Sequence, residues 1–417
     1  MARMQWFDGN YGFYGYDLFQ NYVESSRSAT GMVLELGPNA GPFDPEKSAV
    51  RIELTYANFT SAVITSGPNT GADMVTGGKL TAITYFNGNG DVLLQVDQIN
   101  VLLPVFLATI AHGDGFAAWQ MVTVHDNTVK GSNDASGPGH LGTGDVLDSG
   151  MGRDLVNALG GDDYIQDRGG VDTYNGGNGF DTLAYDTWFF RPWAVVRGVT
   201  ADLVLGTATG PDGASDTLSA IEGLTGSYLA DKFYGNAVGN KFTGFCGADR
   251  FDGRGGLDLA SYTRDASQGG LDGIRVNLAA GTVRDGFGTI DHLISVEGVE
   301  GTAQRDTFQD NRDDNYFNGG AGNDLFTFSS GNDTAFGGPG ADSFVFAATA
   351  FGSDTIQDFD SGSGDTITCL GATVYGQIHF ASVTIDGQMS TFVQTIGGSL
   401  TLLGIDYHNL TAADFGF

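Results

Sequence analysis

From residue 145 onward, an aspartate returns every nine residues, and few folds tolerate that spacing. Asp145, Asp154, Asp163, Asp172 and Asp181 keep step, with Leu147, Val156, Ile165, Tyr174 and Leu183 two places later. Asp231, Asn240, Asp249 and Asp258 form a second block, followed at the same offset by Phe233, Phe242, Phe251 and Ala260. Asp306, Asn315, Asp324, Asp333 and Asp342 form a third. Nine residues are one short strand plus one tight turn, because a strand advances about 3.3 Å per residue and alternates its faces. Glycines beside each aspartate suit the turn, where positive φ and close packing are needed. The residue two after the aspartate then points inward and stacks on its counterparts. A solenoid of short strands follows, with a carboxylate at every corner.

Stacked corners bring like charges together. Two carboxylates about 4 Å apart repel by about 4 kcal/mol at an effective dielectric near 20. The chain has 417 residues, a net charge of -31, and 43 Asp against 7 Glu. Asp is a compact ligand for hard cations. Oxygen-only donors on flexible turns favour Ca²⁺ over Zn²⁺, and Mg²⁺ asks for a stricter octahedron. Several bound Ca²⁺ ions are therefore expected. The net charge argues against nucleic acid or anionic membrane as a partner. No apolar run approaches the length of a membrane span, and the N-terminus lacks the apolar stretch of a cleaved signal peptide.

A longer repeat lies over the short one. Residues 226–261 match 301–336 at an offset of 75, and "IEGLTGS" returns as "VEGVEGT". Two excursions, 185–225 and 262–300, interrupt the solenoid. The expected organisation is an N-terminal β-rich module with short helices over 1–130, a roll over 131–345 and a C-terminal β cap over 346–417. Within the first part "VRIELTY" alternates as a strand. "KLTAITYF" and "DVLLQVDQI" flank "NGNG" as a hairpin, and the stretch around Pro104 suggests one or two short helices.

"GGAGNDLFT", "GGPGADSFV" and "GGNGFDTLA" resemble the nonapeptide of the RTX (repeats-in-toxin) family. The resemblance covers about 140–345. It implies an all-β, right-handed parallel β-roll with two nonapeptides per coil and Ca²⁺ between turns 18 residues apart. Asp145, Asp154, Asp163, Asp172, Asp181, Asp231, Asp249, Asp258, Asp306, Asp324, Asp333 and Asp342 are the implied metal ligands. Asn240 and Asn315 depart from the pattern, and "FSSGNDTAF" lacks the leading glycine pair. The resemblance further implies a secreted, extracellular protein exported by type I machinery through an uncleaved C-terminal signal, which "LTAADFGF" resembles. Residues 74–133 are similar to a β-rich module found ahead of such rolls.

The chemistry is less legible. There is no HExxH, no GxSxG elbow and no P-loop, and the two cysteines, Cys246 and Cys369, form no CxxC. Alginate-type uronate C5-epimerases carry similar rolls, but their Asp-Pro-His stretch is missing here. Eleven of the fourteen arginines lie between 153 and 312. Trp188, Arg191, Trp193 and Arg197 in the first excursion, with Arg284 in the second, suit an acidic polysaccharide, since rings stack on sugars and guanidinium pairs with carboxylate or sulfate. Tyr262, His292 and Arg264 are candidate catalytic groups for an epimerase or lyase. The alternative is a non-catalytic surface, adhesion or matrix protein whose arginines simply pair with loop aspartates.

Overall fold

The computed structural model describes residues 129–130, 144–186, 197–372 and 374–417 in full, and the backbone of the strands between Gln5 and Thr128. The chain divides into two compact units, Met1–Val196 with Leu205–Gly223, and Arg197–Val204 with Leu224–Phe417.

In the first unit, Tyr22–Arg27, Gly31–Leu36, Arg51–Val63, Asp73–Phe86 and Val92–Leu102 pair antiparallel in sequence. The hairpin expected around "NGNG" is among them. The helices expected around Pro104 fall outside the described residues. Thr128–Lys130 closes this meander antiparallel to Val92–Leu102 and pairs on its other edge, in parallel, with Leu155–Gly160. Thr128–Lys130 thus has the meander on one edge and a strand of the nine-residue spacing on the other.

From there the nine-residue spacing becomes two parallel sheets. Leu155–Gly160, Thr173–Asn178 and Ser215–Ser219 form one; Val146–Asp148, Tyr164–Gln166 and Thr182–Ala184 form the other. Leu155 sits beside Thr173 and Tyr164 beside Thr182, so one coil takes 18 residues. The residues two after each aspartate face inward and are buried.

The second unit repeats the plan with aromatic filling. Lys232–Tyr234, Arg250–Asp252 and Ile290–Ile294 pair in parallel, as do Thr307–Gln309, Leu325–Phe328, Ser343–Phe346 and Thr366–Cys369. Between these runs the second excursion adds Thr282–Arg284 and Arg275–Asn277 as an antiparallel hairpin, and Arg275–Asn277 pairs in parallel with Thr307–Gln309. The opposite sheet contains Lys241–Thr243, Leu259–Ser261, Gly298–Glu300, Tyr316–Asn318 and Thr334–Phe336. Rings fill the core: Phe308 and Phe317, from opposite sheets, lie 5.3 Å apart, and along one sheet Phe308 and Phe326 lie 4.8 Å apart and Phe326 and Phe344 5.0 Å. Each ring buries a large apolar surface and gains a further contribution from stacking.

Parallel pairing continues past 345. Gly352–Ile356 pairs in parallel with Thr334–Phe336, and Gly398–Leu402 pairs in parallel with Gly352–Ile356. Gln388–Gln394 and His379–Ile385 then finish this sheet antiparallel. The spacing stretches here while the coil continues, because only the turns have lengthened.

Candidate metal centre

Each ruler aspartate ties its coil to the one before. The backbone N–H of Asp145 donates to Asp163 Oδ1 at 2.5 Å, that of Asp154 to Asp172 Oδ1 at 2.7 Å, and that of Asp163 to Asp181 Oδ1 at 2.9 Å. In the second unit Asp231 donates to Asp249, Asp306 to Asp324, and Asp324 to Asp342, each at 2.8 Å. The asparagine corners keep the arrangement: Asn240 donates to Asp258 at 2.7 Å and Asn315 to Asp333 at 2.8 Å. What asparagine lacks is the charge, so those two corners hold one carboxylate fewer.

The other carboxylate oxygen is different. Oδ2 of Asp163, Asp181, Asp249, Asp258, Asp324, Asp333 and Asp342 is buried and accepts no hydrogen bond. At Asp181, Asp249, Asp258, Asp324 and Asp342 it lies against the glycine that opens the repeat, whereas Ala158 and Phe328 stand at that place before Asp163 and Asp333. A Cβ on Gly244 would stand 2.0 Å from Asp249 Oδ2, and one on Gly337 2.3 Å from Asp342 Oδ2. The leading glycine is therefore space for a carboxylate.

Burial of so many bare oxygens is costly. Burial raises Asp324 to about 8, with Asp306 and Asp342 adding repulsion. It raises Asp249 to about 10, with Asp231 and Asp291 adding to it. A row of buried, bare carboxylate oxygens at 18-residue intervals fits a hard dication well. A bound Ca²⁺ supplies the positive charge that lets these groups stay ionised together.

The excursions carry the row onward through residues that the nine-residue count does not reach. Asp172 N–H donates to Asp216 Oδ1 at 3.0 Å and Asp181 N–H to Glu222 Oε2 at 3.0 Å. In the second unit Asp249 N–H donates to Asp291 at 2.9 Å and Asp258 N–H to Glu297 at 3.1 Å. Asp216 and Asp291, like Glu222 and Glu297, are 75 residues apart. The long repeat was the signal that could have found them. Beyond 345, Asp333 donates to Asp354 and Asp342 to Asp365, both at 2.9 Å.

At two of these corners a phenol takes the place left bare elsewhere. Tyr185 OH donates to Asp216 Oδ2 at 3.1 Å, and Tyr262 OH to Asp291 Oδ2 at 2.9 Å. Tyr262 is 1% exposed. Its hydroxyl faces the buried Asp291 rather than solvent. In the first unit, Asp167, Asp172 and Asp216 bring carboxylate oxygens within 4.8 Å of one another. Tyr174 OH donates to Asp167 Oδ2 at 2.8 Å and Asp172 Oδ2 at 3.0 Å.

The expected polymer-binding set is not gathered in the part that is described. Trp188, Arg191 and Trp193 lie outside the described residues, and Arg197 is exposed. Arg264, half-buried, lies over the Phe245 ring at 5.1 Å. Arg284 and His292 are exposed on the outer face of the second unit's sheet. That face holds a feature the sequence hid. Lys232, Arg250 and His292 share one register on three neighbouring strands, and the next two strands place Arg284 opposite Arg275. Five adjacent strands thus each present one basic residue outward, across about 19 Å at the usual strand spacing of about 4.8 Å. Among the described residues, Asp252 is the one carboxylate within 4 Å of any of them, 3.6 Å from Arg250. Other cations are neutralised: Arg168 by Asp148 and Lys241 by Glu300, both at 2.6 Å, and Arg254 by Asp202 at 2.7 Å.

Comparison with known proteins bears on the repeats. The RTX calcium-binding nonapeptide repeat (four copies) matches residues 148–183, 300–335 and 329–347. No curated protein matches the chain by sequence. Among solved structures, the extracellular lipase LipA from Serratia marcescens is similar at 17% identity and a TM-score of 0.19. The match covers 46% of this chain and 39% of the lipase. The matched repeats coincide with the rows of buried aspartates, so the chain carries RTX calcium-binding repeats, which hold several calcium ions in a parallel β-roll.

Proposed function

We propose that the protein acts outside the cell as a calcium-folded roll that engages an acidic polysaccharide through the basic row of its second unit. The observation that carries this reading is the row itself: Lys232, Arg250, His292, Arg284 and Arg275 on five adjacent strands of a chain with net charge -31. Against so acidic a background, positive charge concentrated on one face selects an extended polyanion, and guanidinium pairs bidentately with carboxylate or sulfate. In this reading 1–130 is the N-terminal module, 131–345 with its continuation is the calcium roll, and 346–417 carries the type I export signal. Low cytoplasmic calcium leaves the roll unfolded for export, and external calcium folds it.

Binding to a polyuronate, a sulfated glycan and a neutral glucan, measured in calcium buffer, tests the row. The double variant Arg275→Glu/Arg284→Glu is expected to lose at least about tenfold in affinity, or about 1.4 kcal/mol, for one polyanion. Equal binding by variant and wild type would discard the row as the contact surface. Catalysis is a separate question. His292, exposed within the row, is the acid–base candidate we retain, and Arg264 lies over the Phe245 ring. Epimerisation in deuterated water would place deuterium at C5, and a lyase would give unsaturated uronate. A second reading, a non-catalytic matrix or adhesion protein, draws on the burial of Tyr262 and the ion pairs of Arg168, Lys241 and Arg254. Binding without either product would favour it.

A further inference from the structure

The second excursion buries an aspartate that the nine-residue spacing does not account for. Asp265 begins the short 3₁₀ turn Asp265–Gln268 and is 0% exposed. Its Oδ2 accepts the N–H of Gly286 at 3.0 Å, while its Oδ1 is buried and accepts nothing. This is the same half-satisfied state as at Asp249 and Asp324. The backbone is drawn tightly around it. A Cβ on Gly286 would lie 2.9 Å from Asp265 Oδ2 and 3.1 Å from the Asp272 carbonyl oxygen, and one on Gly270 would lie 3.0 Å from the Asp265 Cβ.

Its acidic neighbours are already satisfied by other donors. Asp285 accepts from the N–H groups of Phe287 at 3.0 Å and Thr289 at 2.7 Å, and from the Thr289 hydroxyl. Asp306 accepts from Ile274 N–H at 2.6 Å, Thr302 N–H at 2.7 Å and the Thr302 hydroxyl at 3.0 Å. Asp291 takes the Asp249 N–H and the Tyr262 hydroxyl. Repulsion from Asp285 and Asp306 adds to the burial that raises Asp265. Three carboxylates thus have their donors, and the fourth keeps one oxygen bare. We propose that Asp265 helps to hold one further divalent cation, of the hard, oxygen-seeking kind such as Ca²⁺, where the second excursion folds over the turn leading to Asp291. The site lies off the nine-residue spacing and belongs to the excursion. It would fasten the hairpin Arg275–Arg284, with two of the five basic residues, to the roll beneath.

Crystals of the full chain grown with terbium decide the matter directly. An anomalous peak is expected at ligand distance from Asp265 Oδ1, about 2.3–2.6 Å for calcium-like coordination. Peaks at Asp324 and Asp342 with none at Asp265 would overturn the proposal. Ion counting by equilibrium dialysis gives a second readout. Asp265→Asn keeps an oxygen for the Gly286 N–H but removes the charge, and is expected to bind one ion fewer while its circular dichroism in saturating calcium is unchanged. A folded Asp265→Asn protein with the full ion count would equally refute it.

Discussion

Residues 306–346 and residues 262–300 close the same kind of corner by different chemistry. In the regular stretch, Asp324 and Asp342 each give one oxygen to the coil before and leave the other bare. In the excursion, Asp291 makes the same first bond, but Tyr262 fills the second place. Regular spacing thus produces sites that need a cation, and its interruption produces a corner that carries its own donor. The excursions deliver such a phenol at Asp216 and Asp291, and within the first block Tyr174 gives its hydroxyl to Asp172 in the same way. Where the repeat opens on a glycine, as at Gly319 and Gly337, a Cβ there would already meet Oδ2 of Asp324 at 2.4 Å or of Asp342 at 2.3 Å.

That contrast can be broken most severely by removing calcium. Chelation at neutral pH is expected to abolish most of the roll's β signal in circular dichroism and to lower its melting temperature steeply, because the bare oxygens recover their mutual repulsion. A chelated protein with unchanged spectrum and melting would sink the whole account.

Acid should partly replace the metal. In the calcium-free chain Asp324 titrates near 8 when folded, against 3.8 ordinarily. The folded state therefore binds the extra proton. Its contribution is complete below about 4 and is lost as the pH rises through 8. Melts in chelator are expected to rise as the pH falls from 8 toward 5, and melts in limiting calcium to fall over the same range as protons displace the ion. Parallel slopes in the two conditions would contradict this.

The smallest test compares single corners. Asp324→Asn should raise the calcium midpoint of folding and spare the calcium-saturated structure. Tyr262→Phe should leave the midpoint nearly alone while costing about 1–3 kcal/mol in saturating calcium, the usual penalty of a stranded buried polar atom. Denaturant titrations at several calcium concentrations would separate them, and identical behaviour would erase the distinction between the two corners.

The spacing of Asp306 to Asp342, read with the phenylalanines two places on, dictates stacked coils, inward rings and stacked carboxylates, because each repeat carries its turn and strand within nine residues. The hairpin around "NGNG" was legible for the same local reason. Asp216, Glu222, Asp291 and Glu297 fall outside that local count, since their hydrogen-bond partners lie 39 to 44 residues away, and only the 75-residue repeat relates them to one another. The basic row was not legible, since Lys232, Arg250 and His292 become neighbours only when strands 18 and 42 residues apart fall into register. The caps of Tyr185 and Tyr262 and the half-satisfied Asp265 also depend on how each excursion folds back. A local period is written in the chain, whereas the partner of a loop side chain is set by where the rest of the roll happens to pass.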